Sequence, residues 1–257
     1  MATVVELLLH LPLLVISIGC GNCLHQGTQV QQEKFGFVLQ IYDPMFVAAG
    51  SLFSARYVLT VAHCFRKNTK PEQLTVRAGH DRISRDSKAG RSVAGLMRHP
   101  KFSPLTLRND IAVLRVKVAI GYSRRISYIP LCSTPLRRDR AAQSPVIVGW
   151  SLMNTSQPLK SISVKVDVPK NCRQWFPQVP AGVSCALTAN NEGLCYGDSG
   201  DPLISGGEVC GLAIAFRRCG DKRYPALFTE VHYHRPFIAQ AVLTLDREML
   251  KKPKARG

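Results

Sequence analysis

The sequence predicts an all-β fold, a barrel or a sandwich, that ends in a helix. Short runs rich in Val, Ile, Leu and aromatic residues follow one another, and turn-forming residues separate most of them. From His234 to Leu245, apolar residues recur instead at steps of three and four, the spacing of a helix. Many strands followed by one late helix favour this class. The predicted strands are 37–42, 57–61, 74–78, 111–118, 146–150, 163–166, 209–216 and 227–231.

Composition indicates a globular protein of an oxidising compartment. The chain has 257 residues, 46% hydrophobic and 20% charged, which excludes disordered and coiled-coil classes. It has 9 cysteines without paired CxxC motifs, so they favour disulfide bonds over a zinc site. His232 and His234 alternate near a strand end but lack companion ligands. We therefore expect no metal and no cofactor.

The amino terminus predicts a secretory signal peptide over residues 1–19. Residues 7–18 are almost wholly apolar but too short, and too interrupted by Pro12, for a comfortable membrane span. Glu6 and the lack of a preceding Lys or Arg weigh against this interpretation, and a buried apolar strand is the alternative. We expect a secreted, extracellular product without a membrane span.

The rest of the chain divides into a short segment at 20–34, a large domain at 35–245 and a basic tail at 246–257. Residues 118–140 are loop-like and basic, as expected of a connector between two halves. With 34 Lys and Arg against 17 Asp and Glu, the formal charge is +17. A solvated surface explains this charge most simply, although it also predicts attraction to polyanions. No nucleic-acid-binding motif is present.

Three segments carry residues suited to nucleophilic catalysis. An apolar run, YVLTVAHC, ends with His63, and another, NDIAVLRV, begins beside Asp110. The run CYGDSGDPL places Ser199 between glycines. Each segment alone is a weak signal, but their joint occurrence in this order is much less expected by chance.

The chemistry of acyl transfer requires these residue types. A serine hydroxyl is a poor nucleophile near neutral pH, so a base must take its proton. The pKa of histidine suits that task, and a buried carboxylate fixes the imidazole tautomer. Backbone N–H groups must also face the developing oxyanion, and those of Gly197 and Ser199 are candidates.

From about Phe35 to Gln240 the sequence resembles the chymotrypsin/trypsin-like serine proteases. The resemblance rests on the segments GSL at 50–52, TVAHC, DIAVL and GDSG, together with Gly149–Trp150 and the terminal helix. It implies two six-stranded antiparallel β-barrels with the active site between them. It also implies a catalytic triad of His63, Asp110 and Ser199, with the oxyanion held by Gly197 and Ser199.

The resemblance further implies two disulfide bonds, Cys172–Cys185 and Cys195–Cys219. Cys64 lacks its usual family partner, because Ala48 occupies that place. Cys132 stands where some members tether their amino-terminal segment, which suggests Cys20 or Cys23 as its partner. Cys210 has no family partner.

The activation site departs from the family pattern. Members are cut after a basic residue, and the new amine pairs with the Asp before the catalytic Ser, here Asp198. The corresponding segment, Leu24-His25-Gln26-Gly27, follows Cys23. We therefore expect no activation by a trypsin-like cut there. Asp198 would be left as an unpaired buried charge, which is costly.

The substrate pocket also departs from the family. Gly193 occupies the pocket-base position, where trypsin-like members carry Asp, and Ala226 adds only a methyl group. Asp201 replaces a usual glycine, and we expect it to perturb His63. The pocket wall, Ser-Trp-Gly in the family, reads Ile214-Ala215-Phe216. The pocket predicted from these positions is small and apolar, lined by Gly193, Leu194, Ile214, Phe216 and Ala226.

Two functions fit these features. The first is a secreted serine endopeptidase of non-tryptic specificity, which the intact triad favours. The second is a protease homologue with little or no activity that binds or regulates a partner. The altered activation segment, Ile214, Phe216 and Asp201 favour the second. Selection for binding alone would not require all three triad residues, so the first is preferred.

Overall fold

Two β-barrels and a terminal helix make up the part of the chain that the computed structural model describes. The predicted signal peptide, Cys20, Cys23 and Cys219 lie outside that part. The described residues are 27–83, 90–136, 145–150, 158–167, 172–176, 178–188, 192–217, 221 and 223–251.

The first barrel is a closed antiparallel sheet in the order β2-β3-β4-β7-β6-β5. Its interior is apolar, and β4 is buried along its whole length. A short 3-10 helix over Gln32–Phe35 precedes this barrel, and another over Pro71–Gln73 leads into β5. The strands are β2 (Val38–Asp43), β3 (Met45–Ser54), β4 (Tyr57–Thr60), β5 (Thr75–Ala78), β6 (Arg91–Arg98) and β7 (Ala112–Val116).

The second barrel closes in the order β8-β9-β10-β13-β12-β11, because β8 pairs with both β9 and β11. A two-stranded addition, β1 (Thr28–Gln29) against β9, extends it. Side chains alternate along β9, with Ile162, Val164 and Val166 buried and the residues between them more exposed. The strands are β8 (Val146–Gly149), β9 (Lys160–Asp167), β10 (Val183–Thr188), β11 (Pro202–Ser205), β12 (Glu208–Ala215) and β13 (Ala226–Glu230).

The terminal helix α1 (Arg235–Lys251) packs on the first barrel. Leu245 approaches Gly95 of β6 so closely that a Cβ there would lie 2.7 Å from its Cδ2 atom. Asp246 accepts a hydrogen bond from Arg115 of β7 at 2.9 Å. The helix thus ties the end of the chain to the barrel that precedes the connector. None of the described helices is long and apolar enough to cross a bilayer.

The all-β fold with two six-stranded barrels and a terminal helix is confirmed, with corrections to individual elements. The pattern failed to predict β1, β6, β10 and β11, and residues 50–52 were the one part of β3 that the sequence singled out. The helix ends at Lys251 rather than Leu245, so residues 246–251 are helical rather than part of a tail.

The disulfide bonds differ from the family pattern at one place. Cys132 pairs with Cys210, so the suggested partners Cys20 and Cys23 are wrong for it. This bond lies where Leu131 forms a parallel bridge with Val209, which brings the connector onto the second barrel. The remaining described cysteines are the bonded pair Cys172–Cys185, Cys195 in a disulfide whose partner is undescribed, and Cys64 with a free thiol.

Candidate active site

The fold brings His63, Asp110 and Ser199 together between the two barrels. The Nδ1 atom of His63 lies 2.6 Å from Oδ2 of Asp110. The Nε2 atom of His63 lies 2.9 Å from Oγ of Ser199. The imidazole therefore bridges a carboxylate and a hydroxyl, each within hydrogen-bond distance.

The Asp110 carboxylate is fully buried, and backbone donors fix its position. Its Oδ1 atom accepts hydrogen bonds from the N–H groups of Ala62 at 2.7 Å and His63 at 2.9 Å. Thr229 of the second barrel donates its hydroxyl proton to the backbone oxygen of Asp110 at 2.9 Å. Because both barrels hold this residue, the carboxylate cannot rotate away from the imidazole without breaking several bonds.

A histidine that the sequence suggested only as a poor metal ligand supports this region. His234 is buried, with its Nδ1 atom 2.7 Å from the Glu230 backbone oxygen and its Nε2 atom 3.3 Å from Oδ1 of Asn109. Asn109 precedes Asp110 and has a positive φ of 55°, a conformation that Asn tolerates better than most residues. No pattern in the sequence signalled this contact, because the two residues lie far apart along the chain.

The pKa of His63 is raised above its ordinary value. Burial of the ring lowers it, but hydrogen bonds to Asp110 and to the Cys64 side chain, with the charges of both groups, raise it more. Asp201 is not among the groups that shift this pKa. Its carboxyl group lies instead against the backbone of Gly149.

Two glycines shape the loop that carries Ser199. Gly197 and Gly200 have φ values of 93° and 81°, which favour glycine. A Cβ at Gly200 would also lie 2.2 Å from the backbone oxygen of Ala49. Ala49 of the first barrel in turn donates its N–H to the Ser199 oxygen at 2.9 Å. Within the described chain, the N–H groups of Gly197 and Ser199 donate to no backbone oxygen.

Two buried carboxyl groups follow each other in this loop. Asp198 accepts a hydrogen bond from the Cys195 N–H at 2.7 Å, but its other oxygen has no partner among the described residues. Neither oxygen of Asp201 has one there. Burial raises the pKa of Asp198 to about 8, although the Cys195 N–H and the charge of Lys160 lower it. Burial and the neighbouring Asp198 charge raise the pKa of Asp201 well above its ordinary value.

The cavity beside Ser199 is small, with a volume of about 30 Å³. It includes Leu194, Ile214 and Phe216 of the predicted pocket, whereas Gly193 and Ala226 do not line it. A volume of this size accommodates water rather than a large side chain. The full lining is Leu194, Cys195, Asp198, Ser199, Ala213, Ile214, Ala215 and Phe216.

An aromatic pair lies at this cavity. The sequence suggested Phe216 as a pocket residue but did not suggest Tyr196. The ring of exposed Tyr196 packs edge-on against Phe216, with centroids 5.4 Å apart. Ile214 supplies no hydroxyl to Asp110, whose Oδ2 atom accepts from His63. The pocket wall therefore has apolar Ile214 and Phe216 side chains where the family has a serine hydroxyl and a glycine.

Comparison with known proteins places this geometry in a family. A family model described as Trypsin matches residues 24–238. The chain is 29% identical over 230 residues to seminase of Drosophila melanogaster, covering 85% of this chain and 82% of the relative. It is also 29% identical over 225 residues to trypsin II-P29 of Gallus gallus, covering 84% of this chain and 88% of the relative.

A solved structure of neuropsin, a serine protease of mouse brain, has the same fold. It matches with a TM-score of 0.74 at 21% identity, covering 84% of this chain and 99% of its own. The barrels, the imidazole between a buried carboxylate and a serine hydroxyl, and the extent of the family match agree with one another. The chain belongs to the trypsin family of serine endopeptidases.

Proposed function

We propose that this chain is a secreted serine endopeptidase in which His63, Asp110 and Ser199 act as the catalytic triad. The observation that carries the proposal is the continuous pair of contacts from Asp110 to His63 at 2.6 Å and from His63 to Ser199 at 2.9 Å. A nucleophile, its base and the group that orients the base are the minimum set for acyl transfer by serine.

In the proposed reaction, His63 carries a proton from the Ser199 hydroxyl to the leaving amine. The Ser199 Oγ atom attacks the scissile carbonyl carbon while His63 Nε2 accepts the hydroxyl proton. The oxyanion that forms lies against the N–H groups of Gly197 and Ser199. The C–N bond then breaks as His63 returns the proton to the leaving amine. In the second half of the reaction, a water oxygen attacks the acyl carbon while His63 accepts the proton of that water. The bond to Ser199 Oγ then breaks as His63 returns the proton to the serine, and the acid leaves. Asp110 stabilises the imidazolium in both halves.

We further propose that the residue before the cut is small and apolar. A cavity of about 30 Å³ excludes the long side chains of Lys and Arg. Asp198 is the one carboxyl group in its lining, but its raised pKa keeps a large share of it uncharged near neutral pH. A buried cation without a charged partner is costly, so these features support non-tryptic specificity.

Secretion is part of the same proposal. Disulfide bonds persist in oxidising compartments and are rare in the cytosol, and the structure contains the pairs Cys132–Cys210 and Cys172–Cys185. The charge of +17 supports an additional attraction to polyanionic surfaces outside the cell.

The loop beyond the triad favours a second candidate, a family member with little or no activity that acts by binding. Two buried carboxyl groups whose oxygens lack partners among the described residues lie next to the nucleophile, at Asp198 and Asp201. Such groups disfavour a rigid loop unless a proton or a cation satisfies them. This candidate predicts an ordered triad that turns over poorly.

The two candidates are separated by labelling with a fluorophosphonate, which reacts covalently with an activated serine. The full-length secreted protein is compared with Ser199→Ala and His63→Ala. An active enzyme incorporates the label in the parent protein, and both substitutions abolish it. Absence of labelling in a folded parent protein supports the binding candidate, and undiminished labelling of Ser199→Ala contradicts the assignment of the nucleophile.

A further inference from the structure

Two arginines contact one tyrosine ring just beyond Phe216 of the cavity wall, and they differ in one respect that bears on substrate choice. Both guanidinium groups lie over the same ring, Tyr224, with distances to its centroid of 5.0 Å for Arg217 and 5.9 Å for Arg223. Arg223 also holds Asp221 through two nitrogens, with N–O distances of 2.9 and 2.7 Å. Arg217 forms no ion pair with any residue that the structure describes.

The sequence of this loop shows that the charge of Arg217 has no local acid left to pair with. Residues 217–223 read RRCGDKR, and Asp221 is the one acid among them. Arg223 already occupies that carboxylate on both of its oxygens. Among the described residues, Arg217 therefore presents a positive charge that a ring contact positions and no carboxylate neutralises.

The position of Arg217 is fixed by a series of contacts from the second barrel. The disulfide Cys172–Cys185 joins the segment before Trp175 to β10. The Trp175 ring packs edge-on against Tyr224, with centroids 5.2 Å apart. Tyr224 in turn supports the Arg217 guanidinium through a cation–π contact. A charge that is already positioned loses less conformational entropy when a ligand binds.

The segment that carries Arg217 adjoins the cavity beside Ser199. Phe216, its neighbour, lines the cavity beside Ser199. The pairing of β11 with β12 ends at Pro202 and Leu212, whereas β12 continues to pair with β13 as far as Ala215. Among the described strands, none covers the β11 side of β12 beyond that point. An extended peptide can add there as a strand.

We propose that Arg217 selects peptide substrates that carry an acidic side chain at the third or fourth residue before the cut. Successive residues of a strand advance about 3.3 Å each, so those residues lie two or three steps from the residue at Ser199, beside the Phe216–Arg217 segment. A glutamate or aspartate there pairs with the unneutralised guanidinium. The inference rests on the proposed function, because it presumes that a peptide binds across the cavity.

The test uses matched fluorogenic peptides with alanine before the cut and Glu, Gln or Lys at the third or the fourth residue before it. The parent protein is expected to cleave the Glu peptide with a kcat/KM about fivefold above the Gln peptide, the size of a favourable solvent-exposed ion pair. Arg217→Gln is expected to abolish that preference. The double variant Asp221→Asn/Arg223→Gln, the matched control on the same ring, is expected to retain it, because it removes the neighbouring ion pair as a unit and leaves no freed Asp221 carboxylate beside Arg217.

Binding separates this inference from the proposed function. The anisotropy of the same peptides, labelled with a fluorophore, is measured with Ser199→Ala protein, which needs no turnover. A tighter Glu than Gln complex that requires Arg217 supports the inference even if no cleavage occurs. Equal binding of both peptides overturns it, as does an equal loss in the Arg217→Gln protein and in the Asp221→Asn/Arg223→Gln protein. The preference is also expected to shrink in 1 M salt, because salt screens exposed charges.

Discussion

The buried carboxyl groups on the two sides of the candidate active site differ in how well they are hydrogen-bonded. On the side of the first barrel, Asp110 accepts two backbone N–H bonds and a contact from His63. On the side of the second barrel, Asp198 has one bonded oxygen, and Asp201 has none within the described chain. Among the described residues, the Asp110 carboxylate therefore has hydrogen-bond partners for both oxygens, whereas Asp198 and Asp201 together have one partner for four oxygens.

This difference indicates which parts of the protease architecture are built into the fold. The contacts of Asp110 come from backbone and side chains that the two barrels themselves position. The contacts that Asp198 lacks must come from elsewhere, from a proton or from a group outside the described residues. The triad can therefore be well ordered while the neighbouring loop depends on conditions.

The largest effect is expected from replacing Asp110, the carboxylate that has its hydrogen bonds. In Asp110→Asn the amide can still accept the two backbone N–H bonds, but it can present N–H₂ to His63 and favour the wrong imidazole tautomer. We expect the rate of fluorophosphonate labelling, or kcat/KM, to fall by about 10⁴-fold, the cost of holding the wrong imidazole tautomer in a Ser-His-Asp triad. Asp246→Asn, which removes an acid on the distant helix, serves as the control.

A fall of similar size in Asp246→Asn would show that the labelling assay reports stability rather than catalysis. A rate unchanged in Asp110→Asn would contradict the role of Asp110. Circular dichroism of both variants establishes that they are folded before the rates are compared.

The next effect concerns the pocket wall. Phe216→Gly removes the ring that lines the cavity and contacts Tyr196, so larger apolar residues before the cut should fit. We expect kcat/KM for peptides with Leu or Phe at that position to rise by about 10–200-fold, the range for hydrophobic discrimination of this kind. Peptides with Ala should change much less.

A peptide with Arg before the cut provides the control for this variant. It should remain a poorer substrate than the Leu peptide, because enlarging the cavity adds no carboxylate. If the Phe216→Gly protein prefers Arg, the proposed non-tryptic pocket is incorrect.

Asp198 and Asp201 should affect the free energy of unfolding and its dependence on pH. The folded-state pKa values of Asp198 and Asp201 are raised, so the folded protein binds more protons than the unfolded chain between their pKa values. The stabilisation is fully present below about pH 4, the ordinary carboxyl range, and is lost as pH rises through the folded value of about 8 for Asp198.

Removing one of these groups should therefore stabilise the protein at the alkaline end. We expect Asp201→Ala to raise the free energy of unfolding at pH 8 by about 1–3 kcal/mol, the cost of an unsatisfied buried polar group. The gain should be smaller at pH 5. Urea unfolding of both proteins at the two pH values measures it, and a lower stability of Asp201→Ala at pH 8 would mean that an undescribed group satisfies Asp201.

The triad was predictable from sequence because each of its residues stands at the end of a strongly patterned segment. The run YVLT forms β4 just before His63, and glycines at 197 and 200 have the positive φ values that only a sharply turning loop needs. Their placement at hydrogen-bond distance follows from the fold that the family resemblance implied.

Other features depend on contacts that no local pattern records. The bond between Cys132 and Cys210 joins residues 78 positions apart. The strand β6 reads RSVAGLMR, with a glycine at 95 that weakens a strand pattern but leaves room for Leu245 of the helix. Pro202 opens β11, a position where proline is tolerated but where it reads as a turn signal.

The smallest effect is expected from trypsin treatment of the purified protein. No Lys or Arg occurs from Met1 up to Lys34, so the earliest possible tryptic cut frees the amine of Phe35. Phe35 ends the short 3-10 helix and is followed within three residues by β2, whose Val38 and Leu39 are fully buried. Phe35 therefore lies before β2 rather than within it.

An amine at Phe35 starts about ten residues too far along the chain to pair with Asp198, and each extended residue spans only ~3.3 Å. Reaching it would require β2 to leave the first barrel and expose apolar side chains, which costs more than one ion pair returns. We therefore expect fluorophosphonate labelling to change by less than about twofold after trypsin, the scale of a weak exposed pair. Amino-terminal sequencing identifies the cut in the same sample. A large rise in labelling with a new terminus at Phe35 would show that Asp198 can be satisfied in a way this fold does not suggest.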